Sequence, residues 1–243
     1  KTMEAVQTRL VFCGDSAVTL QFPQQISQEI NRQIRWFCRE LESRPVPGIV
    51  ELVPTYCAVT VHYNPMVLSC EALQGYMKEI LSEMELQKDC AAALPQGRLV
   101  EIPVVYGGEY GPDLEQLAAS HHMTAEEVIR LHAGREYLVY MLGFTPGFPY
   151  LGGMDSRIAT PRLKVPRTRI PAGSVGIAGE QTGIYPMDSP GGWQLIGRTP
   201  LLLFDPNRPG EEFLLQAGDR LRFCPVEPRQ FETIRQQGWR KIK

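Results

Sequence analysis

From Ser16 to Phe22 hydrophobic and polar positions alternate, with Val18, Leu20 and Phe22 on one side and Thr19 and Gln21 on the other. That period of two predicts a half-buried strand. The period then lengthens. Ile30, Ile34, Phe37, Cys38 and Leu41 recur at three- and four-residue spacing behind Ser27, which predicts a helix capped by that serine and stopped by Pro45, Pro47 and Gly48. Ile49 to Val53 and Cys57 to Tyr63 predict two strands around a Pro54-Thr55 turn. Leu73, Tyr76, Met77, Ile80, Leu81 and Met84 behind Ser69 predict a second helix. The order strand, helix, strand, strand, helix predicts an α+β domain over residues 1–95, its helices on one side of a small sheet.

Polar residues from Gln87 to Gly97 predict a linker into a second domain, over residues 98–226. Arg98 to Tyr106 has strand character. Helices are predicted at 113–119 and 125–133, the second with Thr124 and Glu127 in capping-box register and Gly134 past its end. Residues 143–200 then hold eleven of the 22 glycines and eight of the 20 prolines, a density that excludes helix and predicts short strands joined by tight turns. An all-β barrel is the expected solution. Its later strands are predicted at 184–185, 194–196, 201–204, 213–215 and 220–223, and residues 227–243 as a polar, basic tail with a short helix.

Composition narrows the function classes. With 43% hydrophobic and 21% charged residues the 243-residue chain is a folded protein, and a net charge of -2 gives no general pull toward nucleic acid or an anionic membrane. No apolar run reaches the roughly 20 residues that span a bilayer. Lys1 to Leu20 lacks the layout of a signal peptide, so a cytoplasmic protein is expected. The cysteines at 13, 38, 57, 70, 90 and 224 form no CxxC pair, which argues against zinc and predicts core thiols.

The candidate chemistry lies in 143–200, where six basic residues face three acidic ones. Such an excess on Gly-rich backbone suits a carboxylate or phosphate, with Arg162, Arg167 and Arg198 as its contacts; a solvated loop with scattered arginines is the competing reading. Phe144, Phe148 and Tyr150 ride on backbone stiffened by Pro146 and Pro149, and either line a pocket or plug one end of the barrel. Ser174, Gln181, Thr182, Tyr185 and Trp193 sit among glycines that let backbone and side chain approach a ligand. His132, in the last turn of its helix, is a candidate for proton transfer, the dipole favouring its charged form; a structural histidine is the alternative. There is no GxxxxGK[ST] motif. Ser174 lies one residue away from a nucleophile elbow, but no helix can follow it.

The runs Tyr137–Gly152, Ile170–Ile177, Gln181–Pro186, Pro190–Gly197 and Leu203–Pro206 closely resemble the KipI family, which includes the B subunits of 5-oxoprolinase and is related to allophanate hydrolase subunit 1. Gly14–Ala17, Ile102–Gly108, Gly111–Leu114 and Ala217–Asp219 look like the family's pattern too, so nearly the whole chain is covered. The resemblance implies a small α+β N-terminal domain joined to a cyclophilin-like β-barrel. It further implies an enzyme that, together with subunits A and C, hydrolyses 5-oxoproline to L-glutamate, with ATP as co-substrate and its site on this or another subunit. Some members of the family resemble an inhibitor of a sporulation sensor histidine kinase, which is the alternative function. Prolyl isomerase activity is not implied, because a fold does not carry chemistry.

Overall fold

Two short stretches open the first sheet. β1 (Arg9–Phe12) pairs antiparallel with β2 (Ala17–Gln21), which carries the alternation described above. The computed structural model describes residues 8–86 and 97–237, and the chain divides into two compact units, Lys1–Pro95 and Gln96–Lys243. Nearly all of the expected linker, Cys90 and Trp239 lie outside the described residues.

In the first unit Ser27 accepts the Ile30 amide at 3.1 Å and starts α1 (Gln28–Ser43). β3 (Ile49–Pro54) and β4 (Ala58–Tyr63) follow, and Ser69 accepts the Ala72 amide at the head of α2 (Cys70–Leu86). The sheet order is β1-β2-β4-β3. Val18, Leu20, Val59 and Val61 from the sheet meet Ile34, Phe37, Leu73, Met77 and Ile80 from the helices in one core. Each such buried side chain contributes about 1.5–3 kcal/mol. The pattern did not foresee β1, because four residues ending in an exposed Phe12 are too few for a period to register.

The second unit runs β5 (Leu99–Tyr106), α3 (Leu114–Ser120), α4 (Ala125–Ala133), β6 (Glu136–Leu142), β7 (Pro149–Gly152), β8 (Arg167–Ile170), β9 (Ser174–Ala178), β10 (Gln181–Ile184), β11 (Ser189–Gly191), β12 (Gln194–Arg198), β13 (Arg220–Pro225) and α5 (Pro228–Gln237). Thr124 and Glu127 make both bonds of the capping box on α4. Seven strands form one sheet in the order β10-β9-β12-β5-β13-β6-β7, and β7 lies against β10, so the sheet is a nearly closed barrel. It is mixed: β13 and β5 are parallel and the remaining neighbours antiparallel. β8 and β11 pair separately.

Two expectations are corrected. Residues 201–204 and 213–215 are not strands; Leu203 and Leu215 do reach the core, but the two runs meet at one bridge, Phe204 to Phe213, and pair with no strand of the barrel sheet. Nor are the cysteines among the described residues fully buried core thiols: Cys13 is exposed, while Cys38, Cys57, Cys70 and Cys224 are half-buried, and none of them is in a disulfide. Cys38, Cys57 and Cys70 nonetheless pack against the core of the first unit. Burial, helped by Glu42, still pushes the Cys38 thiol up to about 12.

Candidate functional site

Alternation along β10 sends its side chains to opposite faces of the barrel wall. Thr182 and Ile184 point into the barrel, where Ile184 joins the main core. Thr182 is tied there to His132 of α4, its Oγ1 lying 2.8 Å from Nε2. The Thr182 hydroxyl donates to the Gly176 carbonyl at 3.0 Å, so it accepts from the His132 Nε2–H. Nδ1 of the same ring is then the acceptor for the Tyr106 hydroxyl at 2.7 Å. His132 is 0% exposed and stacked on Phe223 with ring centres 4.3 Å apart. Burial lowers its pKa to about 3, against the dipole expectation. With both nitrogens engaged and no solvent access, His132 ties α4 to the barrel as a neutral ring, which is the structural alternative.

Gly183 and Tyr185 face the other way. There Phe148, Tyr185 and Trp193 form a second cluster with Ile170, Ala178 and Leu195. Phe148 meets Trp193 edge-on at 5.6 Å, Tyr185 at 5.8 Å and Tyr150 at 5.3 Å, the geometry favoured by ring quadrupoles. The glycines beneath them leave little room for a side chain: a Cβ on Gly183 would stand 3.0 Å from both Phe148 and Trp193, and one on Gly176 would stand 3.1 Å from Trp193. Phe144 extends the cluster, its ring 5.8 Å from that of Phe148. It is 72% exposed and held at φ +69, in the left-handed region that non-glycine residues seldom adopt.

Two cations bear on this cluster. Burial raises the pKa of Tyr185, and Arg162, a hydrogen bond from the Trp193 main chain and Arg167 all oppose that rise. Arg167 is fixed by Asp113, to which Nη2 donates at 2.7 Å, and Nη1 reaches the Trp193 carbonyl at 3.4 Å. Arg162 is exposed and makes no ion pair among the described residues. Aromatic edges beside two guanidiniums and a phenol suit a small apolar ring bearing a carboxylate.

Of the other sequence candidates, Gln181 shares the outward face of β10 with Gly183, while Ser174 and Arg198 bond to the main chain around Pro171 and Ala172. Ser174 is buried and donates to the Pro171 carbonyl at 2.7 Å. Arg198 donates to the Ala172 carbonyl at 2.8 Å and covers the Phe231 ring of α5 at 5.8 Å. Gln181 opens β10, half-buried, opposite Ala178. Two hollows of about 600 Å³ each flank the segment 208–214, one bounded by Arg98, Leu142 and Phe213, the other by Leu201, Leu202 and Ile234; no candidate residue lines either. Among the described residues no group of three His, Cys, Asp or Glu could hold a metal, and no helix is long and apolar enough to cross a membrane. Sequence reasoning took Asp113 only as a helix start, although its place in the Gly111–Leu114 motif was the available signal.

A family model described as carboxyltransferase domain, subdomain C and D, matches residues 8–215. The B subunit of 5-oxoprolinase from Bacillus subtilis (strain 168) is 43% identical over 230 residues, which are 93% of this chain and 95% of that protein. Among solved structures, TTHA0988 matches 87% of this chain with a TM-score of 0.75 and 40% identity, and the match spans 40% of the TTHA0988 chain. The urea amidolyase of K. lactis shares the fold, with a TM-score of 0.77 over 100% of this chain and 16% of its own, at 20% identity.

Proposed function

This chain belongs to the carboxyltransferase-domain family of subdomains C and D and, within it, to the 5-oxoprolinase B subunits, and we propose that it works as the B component of an ATP-dependent complex hydrolysing 5-oxoproline to L-glutamate. The barrel is the cyclophilin-like domain of the family, it stands as a domain separate from residues 1–95, and the complex, completed by subunits A and C, acts in the cytoplasm. The observation that carries the site assignment is Arg167, held by Asp113 and directed at the Trp193 carbonyl beside Phe148 and Tyr185.

The chemistry suits that group. 5-Oxoproline is a compact lactam ring with one carboxylate; the ring packs on Phe144, the exposed member of the aromatic cluster, and the carboxylate takes charge-assisted hydrogen bonds from guanidinium. Water adds to the lactam carbonyl carbon, the C–N bond breaks, and the nitrogen leaves as the amine of glutamate. An unstrained amide resists that addition, so coupling to the hydrolysis of ATP to ADP and phosphate supplies the drive. Phe144, at the rim, closes over the bound ring and limits water on that side.

The test is 5-oxoproline-dependent ADP release by this chain alone, with each of its two partners, and with both. Turnover is expected only in the full mixture. No turnover in a mixture shown to assemble overturns the assignment and turns attention to the second function, inhibition of a sensor histidine kinase anchored by the exposed Phe144 loop, read as slowed phosphate incorporation by that kinase.

A further inference from the structure

Asp113 stands at the N-cap of α3, where an aspartate ordinarily accepts the amide of the second or third helical residue. Its side chain makes no such bond. Instead, Oδ1 accepts from Arg167 Nη2 at 2.7 Å and Oδ2 from the Leu195 amide at 2.6 Å. The main chain repeats the link, since the Asp113 amide donates to the Leu195 carbonyl at 2.9 Å. Asp113 is therefore fixed to β12 twice, through one residue, two positions from Trp193. At 7% exposure its carboxylate has little water to fall back on, so its orientation is set by these partners.

The consequence falls on Arg167. A guanidinium carries five N–H donors in a rigid plane. One is held by Asp113 and one points at the Trp193 carbonyl, leaving three for a ligand. Arg162 is different: exposed and without an ion pair among the described residues, it supplies charge but no fixed direction. The strong, directional contact to a carboxylate must come from the arginine whose plane is already held, because a preorganised fork loses less freedom on binding.

We propose that Asp113 is a positioning residue for substrate: through Arg167 it sets the guanidinium plane that receives the carboxylate of 5-oxoproline beside Tyr185 and Trp193. The assignment rests on the 5-oxoproline site described above. In the assembled complex, Asp113→Asn keeps the shape and the Leu195 contact but removes the anion, and the KM for 5-oxoproline is expected to rise about tenfold while kcat falls less than about threefold. A purely structural role would reduce the amount of active complex, lowering apparent kcat and leaving KM where it was; that result overturns the proposal. Arg167→Ala separates the two ideas. If it raises KM and Asp113→Asn does not, the positioning role fails and the carboxylate site stands; if it leaves KM unchanged, the carboxylate site itself fails and takes the positioning role with it. The double variant is expected to match Arg167→Ala alone, since Asp113 acts only through that side chain, and a further rise in KM overturns the proposal. Should Asp113→Asn not assemble, Arg167→Lys tests the same link: lysine keeps the charge but not the fork, so KM is expected to rise by a similar factor, and an unchanged KM is the contrary result.

Discussion

The two faces of one barrel wall behave differently although the same short strands build both. Inward, Thr182 and His132 complete a closed chain of hydrogen bonds with Tyr106 and Gly176 in which every donor has an acceptor. Outward, three residues further along, Tyr185 shares an aromatic cluster with Phe148 and Trp193 and lies under the influence of two guanidiniums, one of them without an ion pair among the described residues. A satisfied buried polar network has nothing left to offer a ligand and contributes stability and specificity of packing. Spare donors beside an apolar surface do the reverse. Polarity alone would have assigned His132 and Thr182 to chemistry; completeness of hydrogen bonding separates the two faces.

The largest effect that would sharpen this contrast is on the outer face. Arg162→Ala combined with Arg167→Ala is expected to raise the KM for 5-oxoproline about a hundredfold, roughly 2.7 kcal/mol, together with a fall in Tm from the Asp113 carboxylate left without its cation. A large fall in Tm without a KM effect would break the contrast by making the arginines structural. On the inner face Thr182→Val strands the His132 Nε2–H in the core, and a loss of about 1–3 kcal/mol in denaturant unfolding is expected with KM unchanged. A rise in KM without loss of stability would show that the inner chain reaches substrate.

The effect that is smallest when read per pH unit is a pH dependence. Unfolded, an imidazole titrates near 6.5, and folded His132 near 3. Between those values the unfolded chain holds the proton and the native chain does not. The stability from burying the neutral ring is therefore present above pH 6.5 and lost as pH falls toward 3. Urea unfolding of the wild type should lose about 1.4 kcal/mol per pH unit more than His132→Gln below pH 6.5. Equal slopes would mean that the ring is charged in the native state.

Much of the scaffold was legible in the pattern because its signals are local. Ser27, Ser69 and the Thr124–Glu127 box announced three helices from residues within one turn of the caps they form. The alternation over Val59, Val61 and Tyr63 marked β4. The site was legible in part. Gly-rich spacing and aromatic content drew attention to Phe148, Tyr185 and Trp193, and local charge to Arg162 and Arg167. The same signals also selected Ser174 and Arg198, which spend their polar groups on the main chain around Pro171 and Ala172. Asp113 was missed because its partners Arg167 and Leu195 are 54 and 82 positions away.

Period, caps and glycine density thus determined most of the elements, but grouped Thr182 and Tyr185 together as ligand contacts although they face opposite sides of the barrel wall. Only the tertiary structure decided which side is the inside. That choice is made where β7 comes round to β10 and where α4 carries His132 to a threonine fifty residues further on. Burial is a property of the closed barrel, and burial is what turned a histidine expected to carry charge into a neutral tie, while Arg162 and Arg167 keep contact with solvent.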